Sequence, residues 1–224
     1  IIAQTNNSVN NYNQIAREII YNGKSKNSIE VGEKLLVVEN NYNYPIHMMN
    51  GDFIEVLEIY NKEYKKIGLK GRSEVDLFFI DLKVRVIGID KQISTFKCKI
   101  LENMIINQNN YLSNEERSAL LVELLMRHKG VKPNSVEFKE LMKNDQYFNC
   151  LKVKYGYAIT CHKSQGGEWD NTFVDIQSTK QYISPDYRRW LYTAVTRAKN
   201  KLFLLNSDRL SNPNNQFLEA LLNA

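Results

Sequence analysis

The sequence predicts an α/β fold in which a parallel sheet, with helices on both faces, is interrupted by an inserted small β-barrel. Strand and helix patterns alternate at both ends of the chain, which is typical of a parallel sheet. Between these ends, residues 29–101 carry β-rich runs separated by turn pairs such as Asn50-Gly51. One α/β domain with a β insertion accounts for both patterns.

The first 28 residues indicate a short strand followed by a helix. The apolar positions at helical spacing are Val9, Tyr12, Ile15, Ala16, Ile19 and Ile20. Gly23 follows as a C-terminal stop signal. The β-rich runs that come next are "KLLVVEN", "DFIEVLEIY", "VDLFFIDLKVRVIGI" and "STFKCKIL". They are sufficient for a barrel of about five strands.

Helical patterns return after residue 101, and the last third alternates again. "SNEERSALLVELLMRHKG" predicts a helix capped by Ser113 and stopped near Gly130, and "SVEFKELMKN" a shorter one. From residue 151 the order is strand, loop, strand, helix, strand. The predicted division is 1–28 for the first part of the α/β domain, 29–101 for the barrel, 102–150 for a helical connection and 151–224 for the second part of the α/β domain.

Composition excludes several classes of protein. A hydrophobic content of 43% in 224 residues is that of a globular chain, and no apolar run approaches the roughly 20 residues that span a bilayer. Three scattered cysteines argue against a disulfide framework or zinc site, so we expect a cytoplasmic protein. The net charge is +5, of which residues 151–224 contribute +4, a weak indication of a polyanionic partner. Because the chain begins at Ile1, we interpret it as a fragment.

A fragment of a phosphate-binding loop appears at Asn22–Ser25, "NGKS". The full pattern GxxxxGK[ST] requires glycine where Glu18 stands, and it requires a strand before the loop and a helix after it. Here the predicted order is reversed. We therefore interpret Gly23 as a helix stop, and we expect no ATP hydrolysis from these 224 residues alone.

The stretch "AITCHKSQGGEWD" carries the first candidate site. Its polar residues follow a buried strand, where α/β domains place ligand chemistry. The row Thr160, His162, Lys163, Ser164 and Gln165 offers hydroxyl, imidazole, ammonium and amide groups to phosphate oxygens. Gly166 and Gly167 permit positive φ or close backbone approach, and Glu168 can accept a hydrogen bond from a sugar hydroxyl. Taken singly, each residue also fits an ordinary solvated loop.

Arg197 is the second candidate, in "RRWLYTAVTRAKNKLFLL". Arginine is a permanently charged planar donor suited to a transferring phosphoryl group. An arginine finger contributes about 10³–10⁵ in rate at a phosphoryl-transfer site. The alternative is a cation that stabilises a helix C-terminus by about 0.3–1 kcal/mol.

The two motifs together resemble those of superfamily 1 DNA helicases, in particular the RecD-like branch. "YAITCHKSQGGEWDNTFVD" resembles motif V and "LYTAVTRAKNKLFLL" resembles motif VI. "IIAQTNNSVNNYNQIAREI" is similar to the motif IV region, and "VGEKLLVVENNYNYPIHMMNGDFIEVLEI" to the start of the SH3-like barrel inserted in the second RecA-like domain. The resemblance implies that the α/β part is RecA-like and that the insert is SH3-like.

The resemblance also implies ligands and residue roles. ATP with Mg²⁺ and single-stranded DNA are the expected ligands, the Mg²⁺ ligands lying on an N-terminal RecA-like domain outside this sequence. Subunits of a nuclease complex are a further expected partner, and no membrane is expected. By position, the DNA side comprises Thr160, His162, Lys163, Ser164 and Gln165, and the nucleotide side Gly167 and Glu168, with Arg197 and the motif IV residue Arg17 on the γ-phosphate.

The leading hypothesis is thus the C-terminal motor part of an ATP-dependent DNA helicase that couples hydrolysis to translocation and unwinding, as in DNA repair and recombination. The first alternative is a nucleic-acid-binding module on the same fold without hydrolysis. The second is a structural domain whose working part is the barrel. A pure binder gains little from two arginines at a γ-phosphate, which favours the leading hypothesis.

Overall fold

The computed structural model describes residues 1–23, 28–71, 74–87, 93–107, 111–133, 135–176 and 184–206. The strands are β1 Ile2–Ala3, β2 Lys34–Val37, β3 Phe53–Gly68, β4 Glu74–Ile87, β5 Ile93–Leu101, β6 Val153–Tyr155, β7 Ile159–Thr160, β8 Trp169–Asp175 and β9 Ala198–Leu205. The helices are α1 Asn6–Ile20, α2 Asn103–Ile106, α3 Asn114–Arg127, α4 Val136–Asn144, α5 Cys161–Ser164 and α6 Pro185–Val195. The chain forms two compact units, one from Ile1–Ile20 with Tyr157–Ala224 and one from Tyr21–Gly156.

The first unit contains a parallel four-stranded sheet in the order β7-β1-β8-β9. β1 pairs with β7 through Ile2 opposite Ile159, and with β8 through Ile2 opposite Val174. All three pairings are parallel. The α/β class predicted from the alternating patterns is therefore confirmed.

Helices cover both faces of this sheet. Val174 and Ile176 pack in one hydrophobic cluster with Leu191 of α6. Asp175, between them on β8, faces the other way because side chains alternate along a strand. Burial raises the pKa of the Tyr12 phenol in α1, and the nearby charge of Asp175 raises it further. α1 and α6 therefore lie on opposite faces.

α1 packs on the sheet through polar rather than apolar positions. Its buried residues are Asn13 and Arg17, while Ile15 and Ile19 are exposed. The Asn13 amide donates to the Ala158 carbonyl at 3.1 Å, and its Oδ1 accepts from the Ala158 N–H at 2.8 Å. This pair of bonds satisfies a buried backbone unit just before β7, so the side chain acts as a short strand partner.

The second unit contains an antiparallel five-stranded sheet in the order β5-β4-β3-β2-β6. β6 pairs with β2 through Val153 opposite Val37, although sequence patterns place residues from 151 in the parallel sheet. Gly156 separates the two sheets along the chain. A Cβ at Gly156 would lie 3.1 Å from the Phe53 ring and 3.2 Å from the Lys34 carbonyl, so glycine fits this close approach.

The edges of the second sheet meet at Leu151. Its N–H donates to the Lys99 carbonyl at 2.8 Å, and its carbonyl accepts from the Leu101 N–H at 3.2 Å. These bonds join the end of β5 to the segment that leads into β6. The SH3-like assignment of the insert and the four-part division of the chain stay predictions.

The helices α3 and α4 are stabilised by capping and by an ion pair. Ser113 accepts from the Glu116 N–H in a capping box, which confirms the predicted start of α3. Asp145, after α4, pairs with Arg127 at 2.7 Å. Burial is the largest single influence and opposes the charged form of Asp145, but the hydrogen bonds and charge of Arg127 and the backbone N–H bonds of Phe148 and Tyr147 together outweigh it, so the pKa of this carboxyl is lowered. Among the described residues, no helix is both long and apolar enough to cross a membrane.

Candidate functional site

The loop at Thr160–Glu168 lies at the carboxyl edge of the parallel sheet. Thr160 ends β7 and occupies the N-cap position of α5, and Gln165 is its C-cap. Because β7 pairs in parallel with β1, the end of β1 at Ala3 lies beside Thr160. The loop thus occupies the edge at which α/β sheets bind ligands.

The five residues predicted for the DNA side differ in accessibility. His162 and Gln165 are exposed, Thr160 and Lys163 are half-buried, and Ser164 is buried. Burial lowers the pKa of Lys163 because it disfavours the ammonium. The Ser164 hydroxyl donates to the Cys161 carbonyl at 2.7 Å. A DNA contact through this hydroxyl stays a prediction, and it would require that bond to break.

The two glycines of the loop are required for different physical reasons. Gly166 has φ +81°, in the left-handed region, and a Cβ there would meet no atom within 4 Å. Gly167 has no positive φ, but a Cβ there would lie 2.6 Å from the Trp169 ring. Glycine at position 166 therefore permits the left-handed backbone conformation. Glycine at position 167 leaves the space that the Trp169 indole fills.

Arg197 connects the two motifs. Its Nη1 donates to the Gly167 carbonyl at 3.3 Å, its Nε to the Thr193 carbonyl at 3.0 Å and its Nη2 to the Thr196 hydroxyl at 3.1 Å. Its own carbonyl accepts from the Trp169 N–H at 2.9 Å. The guanidinium thus satisfies a carbonyl in the last turn of α6 and also holds the motif V loop against the end of that helix.

Glu168 and Lys199 form a second link between the motifs. The carboxylate and the ammonium are 3.5 Å apart, and the two side chains are 55% and 54% exposed. An exposed pair of this kind contributes about 0–1 kcal/mol. The Glu168 carboxylate therefore remains accessible as a hydrogen-bond acceptor.

Arg17 occupies a different place from the other residues predicted for the nucleotide side. It lies in the last turn of α1, is 5% exposed and belongs to the helix layer opposite α6. The structure joins Gly167 directly to Arg197, whereas Arg17 is placed by α1. Its role toward a γ-phosphate stays a prediction.

The charged groups at this edge include the Arg197 guanidinium, the Glu168 carboxylate and the Lys199 ammonium. The roles of Arg197 and Glu168 toward a nucleotide stay predictions. Within the described ranges, no cluster of three His, Cys, Asp or Glu side chains could hold a metal ion. The Glu168 carboxylate is paired with Lys199.

A groove of about 640 Å³ lies between α5 and α6. His162 and Gln165 line one side, Arg189 and Trp190 of α6 line the other, and Gln4 follows the end of β1. Sequence reasoning found the first two and missed the other three. Arg189 and Trp190 stand in the "RRWLYTAVT" segment, but a helical pattern alone does not show which of its faces meets a loop.

Comparison with known proteins gives a family match over part of the chain. Residues 155–205 match the UvrD-like helicase C-terminal domain. This range contains both Thr160–Glu168 and Arg197. The match supports the resemblance of the two motifs to those of superfamily 1 helicases, and the RecD-like branch stays a prediction.

The chain spans less than half the length of the curated relatives it matches. It is 25% identical over 235 residues to an uncharacterized protein of Methanocaldococcus jannaschii. The aligned region covers 88% of this chain and 18% of that protein. It is 21% identical over 235 residues to an uncharacterized protein of Acanthamoeba polyphaga mimivirus, covering 90% of this chain and 46% of that protein.

Two solved helicase structures are similar to the whole chain at low identity. Pif1 helicase from Candida albicans is 12% identical, with 99% of this chain and 48% of that chain covered and a TM-score of 0.44. Pif1 helicase from Bacteroides, in complex with ADP-AlF3 and ssDNA, is 11% identical. The match covers 99% of this chain and 44% of that chain, with a TM-score of 0.42. The chain spans about half of each helicase.

Proposed function

We propose that this chain is the C-terminal motor part of an ATP-dependent DNA helicase, one that couples ATP hydrolysis to movement along single-stranded DNA and to duplex unwinding. The observation that carries the proposal is the direct contact between the motif V loop and the motif VI arginine, Arg197 Nη1 to the Gly167 carbonyl. A motor needs its nucleotide residues and its DNA residues on one connected element. The loop Thr160–Glu168 supplies that connection.

In this proposal each end of the loop serves one ligand. Arg197 binds the γ-phosphate and stabilises the charge that develops on it during transfer. Glu168 accepts from the nucleotide sugar, with Gly167 beside it, and Arg17 assists as a second cation. The DNA side comprises the exposed His162 and Gln165, with the further contacts assigned above to Thr160, Lys163 and Ser164.

Hydrolysis requires groups that these 224 residues lack. No GxxxxGK[ST] loop occurs in the sequence, and the Lys24 and Ser25 positions of the incomplete pattern lie outside the described residues. The phosphate loop and the Mg²⁺ ligands are expected on a second, N-terminal RecA-like domain. Mg²⁺ there would neutralise phosphate charge. Nuclease-complex partners and a role in repair or recombination rest on the RecD-like resemblance alone.

A non-hydrolysing nucleic-acid-binding module is the second candidate, and one observation favours it. All three groups of donors on the Arg197 guanidinium already have local partners, and one partner is a carbonyl of the last turn of α6. An arginine with only a structural role at a helix end makes such contacts. The two candidates differ in what replacement of Arg197 does.

Arg197→Lys in the full-length protein that contains the phosphate loop separates these candidates. Lysine keeps the charge but cannot hold two phosphate oxygens with a planar fork. We expect the DNA-stimulated ATPase rate to fall at least about 100-fold with little change in single-stranded DNA affinity. The 224-residue chain alone should show only background ATPase.

Arg188→Lys is the matched control, since Arg188 is exposed on the same helix. It should leave the ATPase rate near that of the unmodified protein. Melting curves of both variants exclude misfolding as the cause of a lost rate. An Arg197→Lys variant that folds and keeps most of its ATPase rate would overturn the finger assignment and favour the binding module.

A further inference from the structure

The groove between α5 and α6 has walls of two chemical kinds. His162 and Gln165 line it from the motif V loop, together with Gln4, which follows β1. The other wall is α6, with Arg189 and Trp190. Its volume of about 640 Å³ lies within the range of about 300–1,000 Å³ that small-molecule sites occupy.

Trp190 gives this groove an aromatic surface. Its ring stacks on Tyr187 with centroids 5.6 Å apart and planes 28° apart. Tyr187 is buried in the hydrophobic cluster that joins α6 to the sheet, and Trp190 packs against the same cluster. The Cys161 thiol also donates to the Trp190 carbonyl at 3.5 Å. The indole is therefore held in place by its surroundings while it lines the groove.

The polar groups around Trp190 are those that recognise a nucleotide. Gln4 and Gln165 each carry an amide that both donates and accepts, as the edge of a base requires. Arg189 can contact a phosphate, because its side chain is 81% exposed and its ion pair with Asp186, at 3.3 Å, is between two exposed groups. His162 supplies a further donor on the opposite wall.

We infer that this groove binds one unstacked base of the single-stranded nucleic acid, with the base on Trp190 and the adjoining phosphate on Arg189. The inference rests on the proposed function and extends it, because it adds a wall from α6 to the strand path along motif V. Aromatic stacking of single-stranded bases is largely independent of sequence. This subsite would therefore add binding affinity for the single strand without a preference for one base.

The fluorescence of Trp190 provides a direct test, because the chain contains only two tryptophans. Oligo(dT) is titrated into the 224-residue chain at low salt, and emission and anisotropy of a labelled oligonucleotide are measured together. Stacking should quench the emission, and Trp190→Phe should abolish that quenching while the signal from Trp169 remains. Trp190→Leu should weaken binding about 5-fold or more.

An oligonucleotide with abasic positions tests the base itself. It should bind the unmodified chain more weakly than oligo(dT), and it should bind the Trp190→Leu variant about equally to the unmodified chain. Arg189→Ala should reduce the magnitude of the salt-dependence slope by about 0.7. Arg188→Ala removes the same charge one residue outside the groove lining, and it should change the slope less.

The outcomes separate this inference from the motor proposal. The groove assignment would be overturned if oligo(dT) bound the Trp190→Leu variant with unchanged affinity and did not quench Trp190 emission in the unmodified chain. That result would leave the motor proposal intact. Quenching by AMP or ADP but not by oligo(dT) would also overturn it, since the groove would then be a mononucleotide site. An absence of oligo(dT) binding at low salt would contradict the DNA-side proposal as a whole. Melting curves of each variant show whether the helix pair remains folded.

Discussion

Gly167→Ala tests whether the motif V loop depends on the space that this glycine leaves for Trp169. A Cβ at position 167 would lie 2.6 Å from Cη2, 3.0 Å from Cζ2 and 3.2 Å from Cζ3 of the indole. These contacts are shorter than normal packing permits, so the ring must tilt. The Trp169 backbone cannot follow freely, because its N–H is bonded to the Arg197 carbonyl at 2.9 Å.

The cost follows from where the conflict occurs. Overpacking in a well-packed site costs about 1–3 kcal/mol. The conflict here is with the outer edge of a half-buried ring, so we expect the lower end, about 1 kcal/mol. The unit built from Ile1–Ile20 and Tyr157–Ala224 falls in the size range where 1 kcal/mol corresponds to about 4–8 °C in Tm. Circular dichroism of the 224-residue chain measures this shift.

A second substitution distinguishes overpacking from backbone strain. Trp169→Phe removes the distal atoms of the indole, so the Gly167→Ala cost should nearly vanish in that background. Gly166→Ala is the control: at φ +81°, with no atom near its Cβ, it should cost about 1–2 kcal/mol whether residue 169 is Trp or Phe. An equal Gly167→Ala cost in both backgrounds would refute the packing explanation.

Three further predictions concern the second unit. Residues 21–156 expressed alone should unfold in one cooperative transition by circular dichroism, because both hydrophobic clusters of this unit lie between Ile29 and Tyr155; a chain without a transition would contradict this. In the proposed function, deletion of the predicted insert, residues 29–101, from the full-length protein should impair strand separation more than ATP hydrolysis, and an equal loss in unwinding and ATPase assays would contradict this. The pKa of Asp145 is lower in the folded than in the unfolded state. The Asp145 carboxylate therefore stabilises the fold fully above its unfolded pKa of 3.8, and this stabilisation is lost as the pH falls through its folded pKa. Between pH 6 and pH 3, the Tm of the Asp145→Asn variant should therefore fall less than the Tm of the unmodified protein. Equal decreases in the two proteins would contradict the ion-pair explanation.

Local signals predicted the elements of the fold, and long-range pairing escaped them. The Ser113 cap and the alternation of strands and helices gave α3 and the parallel sheet correctly. The sequence pattern predicts a single strand between residue 151 and the motif V loop, whereas the structure has two short strands, β6 and β7, three residues apart and in different sheets. Nothing in Val153–Tyr155 itself specifies β2 as its partner. That pairing depends on residues more than 100 positions away.

For the candidate site, the sequence selected residues, whereas their contacts became visible only in the structure. The motif pattern identified the loop and Arg197, and the structure places Gly167 in contact with Arg197. The buried polar face of α1 was not foreseen, because apolar periodicity selects Ile15 and Ile19 whereas Asn13 makes the contact. A side-chain amide that replaces a strand partner has no periodic signal. The α6 wall of the groove depends on the packing of two helices, which a single motif does not specify.

The local bonds of Arg197 and its proposed role at a phosphate are compatible on energetic grounds. Its three partners are two carbonyl oxygens and one hydroxyl, all neutral. A phosphate oxygen forms a charge-assisted bond with a guanidinium that is roughly twice as strong as a neutral one. An incoming γ-phosphate can therefore displace the Gly167 carbonyl, the longest of the three contacts at 3.3 Å, while the bond from Nε to Thr193 keeps the arginine at the end of α6. In the proposed function, this exchange would release the motif V loop at Gly167. Because His162 and Gln165 belong to the same loop, nucleotide binding would change the position of DNA-contacting residues through a single backbone segment.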